Sequence, residues 1–104
     1  VTPEAFRTMA LAQPATTEAA HFDRRAFRVR RIYATLAADG ASANLALPPD
    51  EQEHYCRLMP HALAPVPNSW GARGWTTVAL AAVEPEEIAG PLSSAWLGAG
   101  GREG

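Results

Sequence analysis

A chain of 104 residues, 47% of them hydrophobic, can form one modest core, because a domain of this size buries about two-thirds of the surface its unfolded chain exposes. No run of about 18 apolar residues occurs, which excludes a membrane-spanning helix, and Cys56 stands alone, which excludes an internal disulfide. The net charge of −2 hides a dipole: His21 to Arg31 holds five arginines against Asp23, a local +4, so the remainder is strongly acidic. All 9 basic residues are arginine, which with the abundant alanine suggests a high-GC bacterial genome. Pro3, Glu4 and Arg7 before any apolar stretch do not suit a signal peptide, so a cytoplasmic location is expected.

Thr2-Pro3-Glu4 predicts a helix start, with Thr2 as N-cap, proline in the first turn and an acid beside it. Phe6, Met9, Ala10 and Gln13 follow at helical spacing, and Pro14 stops the helix near Ala12 by disfavouring helical geometry at Gln13. Ala15 to Ala20 is a connector of no clear type. From His21 to Leu47 the pattern has period two: Phe27 and Val29 share one face and Arg28 and Arg30 the other, then Ile32, Ala34 and Leu36 alternate with Tyr33 and Thr35. Two strands joined near Arg30-Arg31 are expected. Ala38-Asp39-Gly40 predicts a hairpin into a third strand that places Ala43, Leu45 and Leu47 on one face.

Pro48-Pro49-Asp50-Glu51 starts a second helix, with Gln52, Tyr55, Cys56 and Met59 as its inner stripe and Pro60 as its end. A proline-punctuated loop over His61 to Asn68 leads to Trp70-Gly71-Ala72-Arg73-Gly74-Trp75, the most distinctive stretch of the chain. Its glycines suit positive φ or close backbone approach. Trp75 opens the β-prone run Thr76-Thr77-Val78-Ala79-Leu80 and is expected in the core, so that Trp75→Ala would cost about 3–5 kcal/mol, with Trp70 at the surface. Glu84-Pro85-Glu86-Glu87 starts the last helix, with Ile88, Leu92, Ala95, Trp96 and Ala99 inward. Pro91 should kink or restart it at Gly90-Pro91, since an interior proline costs about 3 kcal/mol. A single domain over residues 1–98 and a flexible tail over 99–104 are expected.

Taken together, Phe6-Arg7, Ala10-Leu11, Glu18, His21-Phe22, Phe27-Arg28-Val29, Ile32-Tyr33-Ala34-Thr35-Leu36, Leu45, Leu47, Gly71, Gly74-Trp75 and Ala95-Trp96 resemble the MmcQ/YjbR family of small bacterial proteins. The resemblance implies an α+β fold like that of CyaY, an antiparallel sheet of four to six strands with helices against one face. It also implies a DNA-binding role through a double wing of hairpins. Three substitutions depart from the family pattern: Arg30-Arg31 for glycine-lysine, Ala46 for a lysine, and Ala15 for a glycine after the first helix's proline. Pro91 is also foreign to it.

Arg24, Arg25, Arg28, Arg30 and Arg31 are the candidate nucleic-acid contacts, acting by phosphate neutralisation without base readout. The bland alternative is a solvated face whose arginines pair with nearby acids. His21, Trp70 and Arg73 are the candidates for a ligand or interaction loop, against a purely structural loop and a locally bonded histidine. Cys56 with His54 and His61 matches no established zinc spacing, so no metal and no cofactor are expected. Ser69, Ser93 and Ser94 lack a nucleophile elbow, so no enzymatic activity is expected. The expected partners are DNA, bound weakly through phosphates, or another protein or small ligand, with no membrane contact and a monomeric or weakly dimeric state. Geometry separates these readings: five arginines on one convex face favour DNA, whereas a concave pocket between His21, Tyr33 and Trp70 favours a ligand.

Overall fold

The computed structural model describes residues 1–102. Helix α1 (Pro3–Ala12) starts where the cap signal places it, with the Thr2 hydroxyl accepting from the Ala5 N–H at 3.0 Å. Four strands follow: β1 (Thr17–His21), β2 (Arg24–Arg28), β3 (Ile32–Ala37) and β4 (Ser42–Ala46). Next come α2 (Pro49–Leu58), β5 (Leu63–Pro65), a four-residue helical turn α3 (Ser69–Ala72), β6 (Trp75–Ala79), a short 3-10 turn and α4 (Pro85–Gly98). The strands form one antiparallel sheet in the order β1-β2-β3-β4-β6-β5. The fold is α+β, as expected, with the strand count at the upper end of the expected range.

Helices α1, α2 and α4 pack on one face of this sheet. Phe6 of α1 meets Phe27 of β2 edge to face, ring centres 6.0 Å apart, and Ile88, Leu92 and Trp96 of α4 complete a core with Ala34, Leu45 and Val78. The inward set predicted for α4 is buried throughout. Pro91 does not end the helix, which runs from Pro85 to Gly98 with the proline fully buried inside it. Its start is held by the Glu87 carboxylate, which accepts from the Glu84 N–H at 2.8 Å.

Ala99 to Gly101, expected in a flexible tail, instead close α4. Gly100, at φ +102°, donates to the Leu97 carbonyl and Gly101 to the Trp96 carbonyl, the double bond of a Schellman cap. Gly101 is buried against the Trp96 ring, where a side chain would collide. Residues 103–104 of the expected tail lie outside the described residues.

One irregularity decides which residues each sheet face presents. Phe27 pairs with Ala34 but the next residue, Arg28, pairs with Ile32, so Tyr33 is the extra residue of a β-bulge. The strict alternation predicted for this strand is therefore broken. Tyr33 turns inward beside Ala34, and its hydroxyl lies 3.1 Å from the Ala10 carbonyl oxygen, to which it donates, and 2.8 Å from the Thr16 hydroxyl. Ile32 turns to the face that carries none of the three long helices.

Candidate ligand groove on the helix-free face

The pairing registers assign the residues of that second face. Register neighbours place His21 of β1 beside Arg24 of β2, Thr35 of β3 beside Asn44 of β4, and Asn44 beside Thr77 of β6. Strand parity does the rest: with Thr76 and Val78 fully buried in the core, Trp75 and Thr77 must point the other way. Trp75 is thus half-buried on the outer face, contrary to the expected core placement, and Trp96 of α4 is the core tryptophan, 1% exposed.

The loop before Trp75 is shaped by close backbone approach. A Cβ on Gly74, which sits at φ +109°, would collide with the Leu47 carbonyl oxygen, and one on Gly71 with that of Val66. Gln52 of α2 holds the loop by donating its amide to the carbonyls of Gly71 and Trp75 at 2.9 and 3.1 Å. The Asn68 side chain caps α3 by accepting from the Trp70 N–H at 2.9 Å. These contacts set Trp70 on the surface, 52% exposed, as expected, with the Arg73 guanidinium 4.9 Å from its ring centre.

Trp70 and Trp75 form one wall of a groove of about 330 Å³, completed by His21, Arg24, Ile32, Thr35 and Asn44. Its volume falls in the range of small-molecule sites, about 300–1,000 Å³. A smaller hollow of about 190 Å³ shares His21 and Ile32 and continues over Ala26 to Arg28. Three polar side chains are fixed within the groove. The Arg24 Nε donates to the Thr35 hydroxyl at 2.8 Å, and the Thr77 hydroxyl donates to the Asn44 side-chain Oδ1 at 2.9 Å. The Arg24 Nη2 is buried with no hydrogen-bond partner among the described residues.

The five candidate arginines do not share one face. Arg24 enters the groove. Arg25 points to the opposite face, where its Nε lies 2.9 Å from Glu18, which also binds Arg7 at 2.7 Å. Burial pushes the Glu18 carboxyl up, but the hydrogen bonds and charges of Arg25 and Arg7 outweigh it, and the net position is below the ordinary carboxylate value. Arg31 donates to the Gly98 carbonyl at 2.6 Å, neutralising the C-terminus of α4. Arg30 lies over Gly100, and Arg28 is exposed with its Nε 3.3 Å from the Arg30 carbonyl.

His21 and Trp70 line the same groove, but the bulge removes Tyr33 from their company and Ile32 takes its place. Arg73 is held at Trp70 without lining the groove. Ile32, Thr35, Asn44 and Trp75 escaped the sequence reading. The cross-strand polar pair Thr77-Asn44 was the available signal, since polar residues alternating with core residues mark an outer face. Burial raises the Cys56 thiol above its ordinary value, which suits a packed, unreactive side chain. Among the described residues no three His, Cys, Asp or Glu side chains converge as a metal site would require, and no helix is long and apolar enough to cross a membrane.

Comparison with known proteins places this architecture. The model of the YjbR family matches residues 11–97. A crystal structure of the Deinococcus radiodurans protein DR2400, with a DUF419 domain, is similar with a TM-score of 0.76 and 23% identity, over 92% of this chain and 76% of that one. That likeness concerns the fold alone. No curated protein matches the chain.

Proposed function

This chain belongs to the YjbR family, and on that footing we propose that it is a non-enzymatic binding module whose helix-free sheet face takes a small molecule in the groove between His21, Arg24, Trp70 and Trp75. One observation carries this reading: two tryptophans stand on the solvent side of the sheet, fixed by the Gly71 to Gly74 loop and by Gln52, around a hollow of ligand size. Aromatic walls with a few fixed polar groups are the usual make-up of small-molecule sites. Leaving Trp70 half exposed and Trp75 partly exposed beside it has no stabilising logic of its own.

Phosphate-directed DNA binding is the second reading. It is favoured by Arg28, Arg30 and Arg31, which are exposed at the bend between β2 and β3. With Arg25 paired to Glu18 and Arg24 in the groove, at most these three would neutralise phosphates, so the salt slope of binding would be near −3 or shallower.

Backbone and indole NMR shift mapping decides between the two. Addition of a set of small neutral aromatics should shift His21, Trp70 and Trp75 in a saturable way. A mixed-sequence duplex at low salt, shifting only Arg28 to Arg31 while the aromatics shift nothing, would overturn the groove reading and leave the DNA one.

A further inference from the structure

We infer that the groove selects a planar aromatic carboxylate, its ring against Trp70 and Trp75 and its carboxylate on the guanidinium of Arg24. This rests on the groove being a ligand site, as proposed above. The added observation is the Arg24 Nη2, a cationic donor buried within a pocket-lining residue and without a partner among the described residues. A buried unpaired donor costs free energy, more so when it carries charge, so such a group calls for an anion to complete it.

The Arg24 Nε is committed to Thr35 at 2.8 Å, and Thr35 is only 7% exposed, so the guanidinium is tethered to the helix-free face. A carboxylate that reaches this guanidinium, with a small shift of the side chain to uncover Nη2, gains charge-assisted hydrogen bonds. Of the groove's other polar side chains, Thr35 and Asn44 already hold hydrogen bonds to Arg24 and Thr77, His21 is exposed, and among the described residues no acid lines it. The larger hollow of about 530 Å³ at the tip of β1 and β2 is different. It is lined by the three acids Glu4, Asp23 and Asp39 as well as by Arg24 and Arg25, so it does not call for an added anion.

One guanidinium balances one negative charge, which favours a carboxylate over a phosphate dianion. Two indole walls and Ile32 favour a ring as the body of the ligand. At about 330 Å³ the groove accommodates one or two fused rings.

Indole-3-acetate is the probe, with indole and acetate as the two halves of its chemistry, and the indole N–H signals of the protein are the readout. Trp96 supplies an internal control, because its Nε1 donates to the Pro14 carbonyl at 2.9 Å inside the core. Indole-3-acetate should shift the Trp70 and Trp75 signals and leave Trp96 unmoved, binding at least tenfold more tightly than indole. Arg24→Gln should remove that tenfold preference, so that indole and indole-3-acetate bind alike, Arg24→Lys should restore part of it, and the exposed Trp70→Ala should weaken both probes. Equal affinities for indole and indole-3-acetate, unchanged in Arg24→Gln, would overturn the carboxylate assignment while leaving the groove a ligand site. If neither probe moves Trp70 or Trp75, the groove reading fails and the carboxylate assignment with it.

Discussion

Two residues occupy backbone positions that suit glycine. Ala15 sits at φ +62°, at the site where the family pattern has a glycine, and Phe22 sits at φ +57° in the two-residue turn between β1 and β2. A left-handed non-glycine residue costs about 1–2 kcal/mol, against about 0.4–1 kcal/mol of extra unfolded-chain entropy for glycine. Ala15→Gly should therefore raise stability by roughly 0.5–1 kcal/mol in urea unfolding, and an unchanged midpoint would show the strain to be absent. The Phe22 side chain is 94% exposed, so it stabilises nothing by burial. Phe22→Gly should be stabilising by a similar amount, with solubility improved.

The glycines of the tryptophan loop lie at the other extreme. Gly74→Ala forces a methyl group into the Leu47 carbonyl at a φ that disfavours any side chain, and should prevent folding at ordinary temperatures. Trp75→Ala should cost well under the 3–5 kcal/mol of a core tryptophan, whereas Trp96→Ala should cost the full amount. Thermal unfolding of the pair ranks them directly, and a reversed order would contradict the facing assigned to β6. The two indoles were hard to rank from sequence because Trp75 opens a strand in which both alternations hold apolar residues. Only the burial of Thr76 and Val78 fixes the parity.

At the scale of elements, helices were the legible part. Thr2, Glu84 and Glu87 carry local cap chemistry, so α1 and α4 could be read from a few neighbouring residues. Strands β1 and β5 could not. β1 reads Thr-Glu-Ala-Ala-His, without an apolar period, and is defined by pairing with β2; β5 ends in a proline that a sheet tolerates only at an edge. The Tyr33 bulge is equally nonlocal, because it exists to bring the phenol to Ala10.

Glu18 shows how β1 is tied down. Its carboxylate joins Arg7 of α1 to Arg25 of β2, and its folded value lies below the unfolded one of about 4.3. The stability it confers is present above that unfolded value and is lost as pH falls through the lower folded one. Glu18→Gln should flatten the acid limb of the stability curve measured between pH 6 and pH 2. An acid limb identical to that of the unmodified chain would place the acid sensitivity elsewhere.

For the whole molecule, the sequence showed a dipolar charge distribution and a distinctive loop but not their relation. The arginine-rich segment reads as one basic patch because charge is counted along the chain. Folding divides it: Arg24 and Arg28 go to one face and Arg25 to the other, while Arg31 closes a helix more than sixty residues away in sequence. His21 of β1 and Trp70 of the loop before β6, far apart in sequence, line one groove on the helix-free face. No local pattern encodes that placement.

The most direct test of this account is the location of bound indole by intermolecular NOEs. Contacts from the ligand to the Trp70 and Trp75 rings and to the Ile32 methyls are predicted. Contacts confined to the helix side, at Tyr55, Leu58 or Pro91, or to Arg28 to Arg31 alone, would contradict the assignment of the helix-free groove as the binding site.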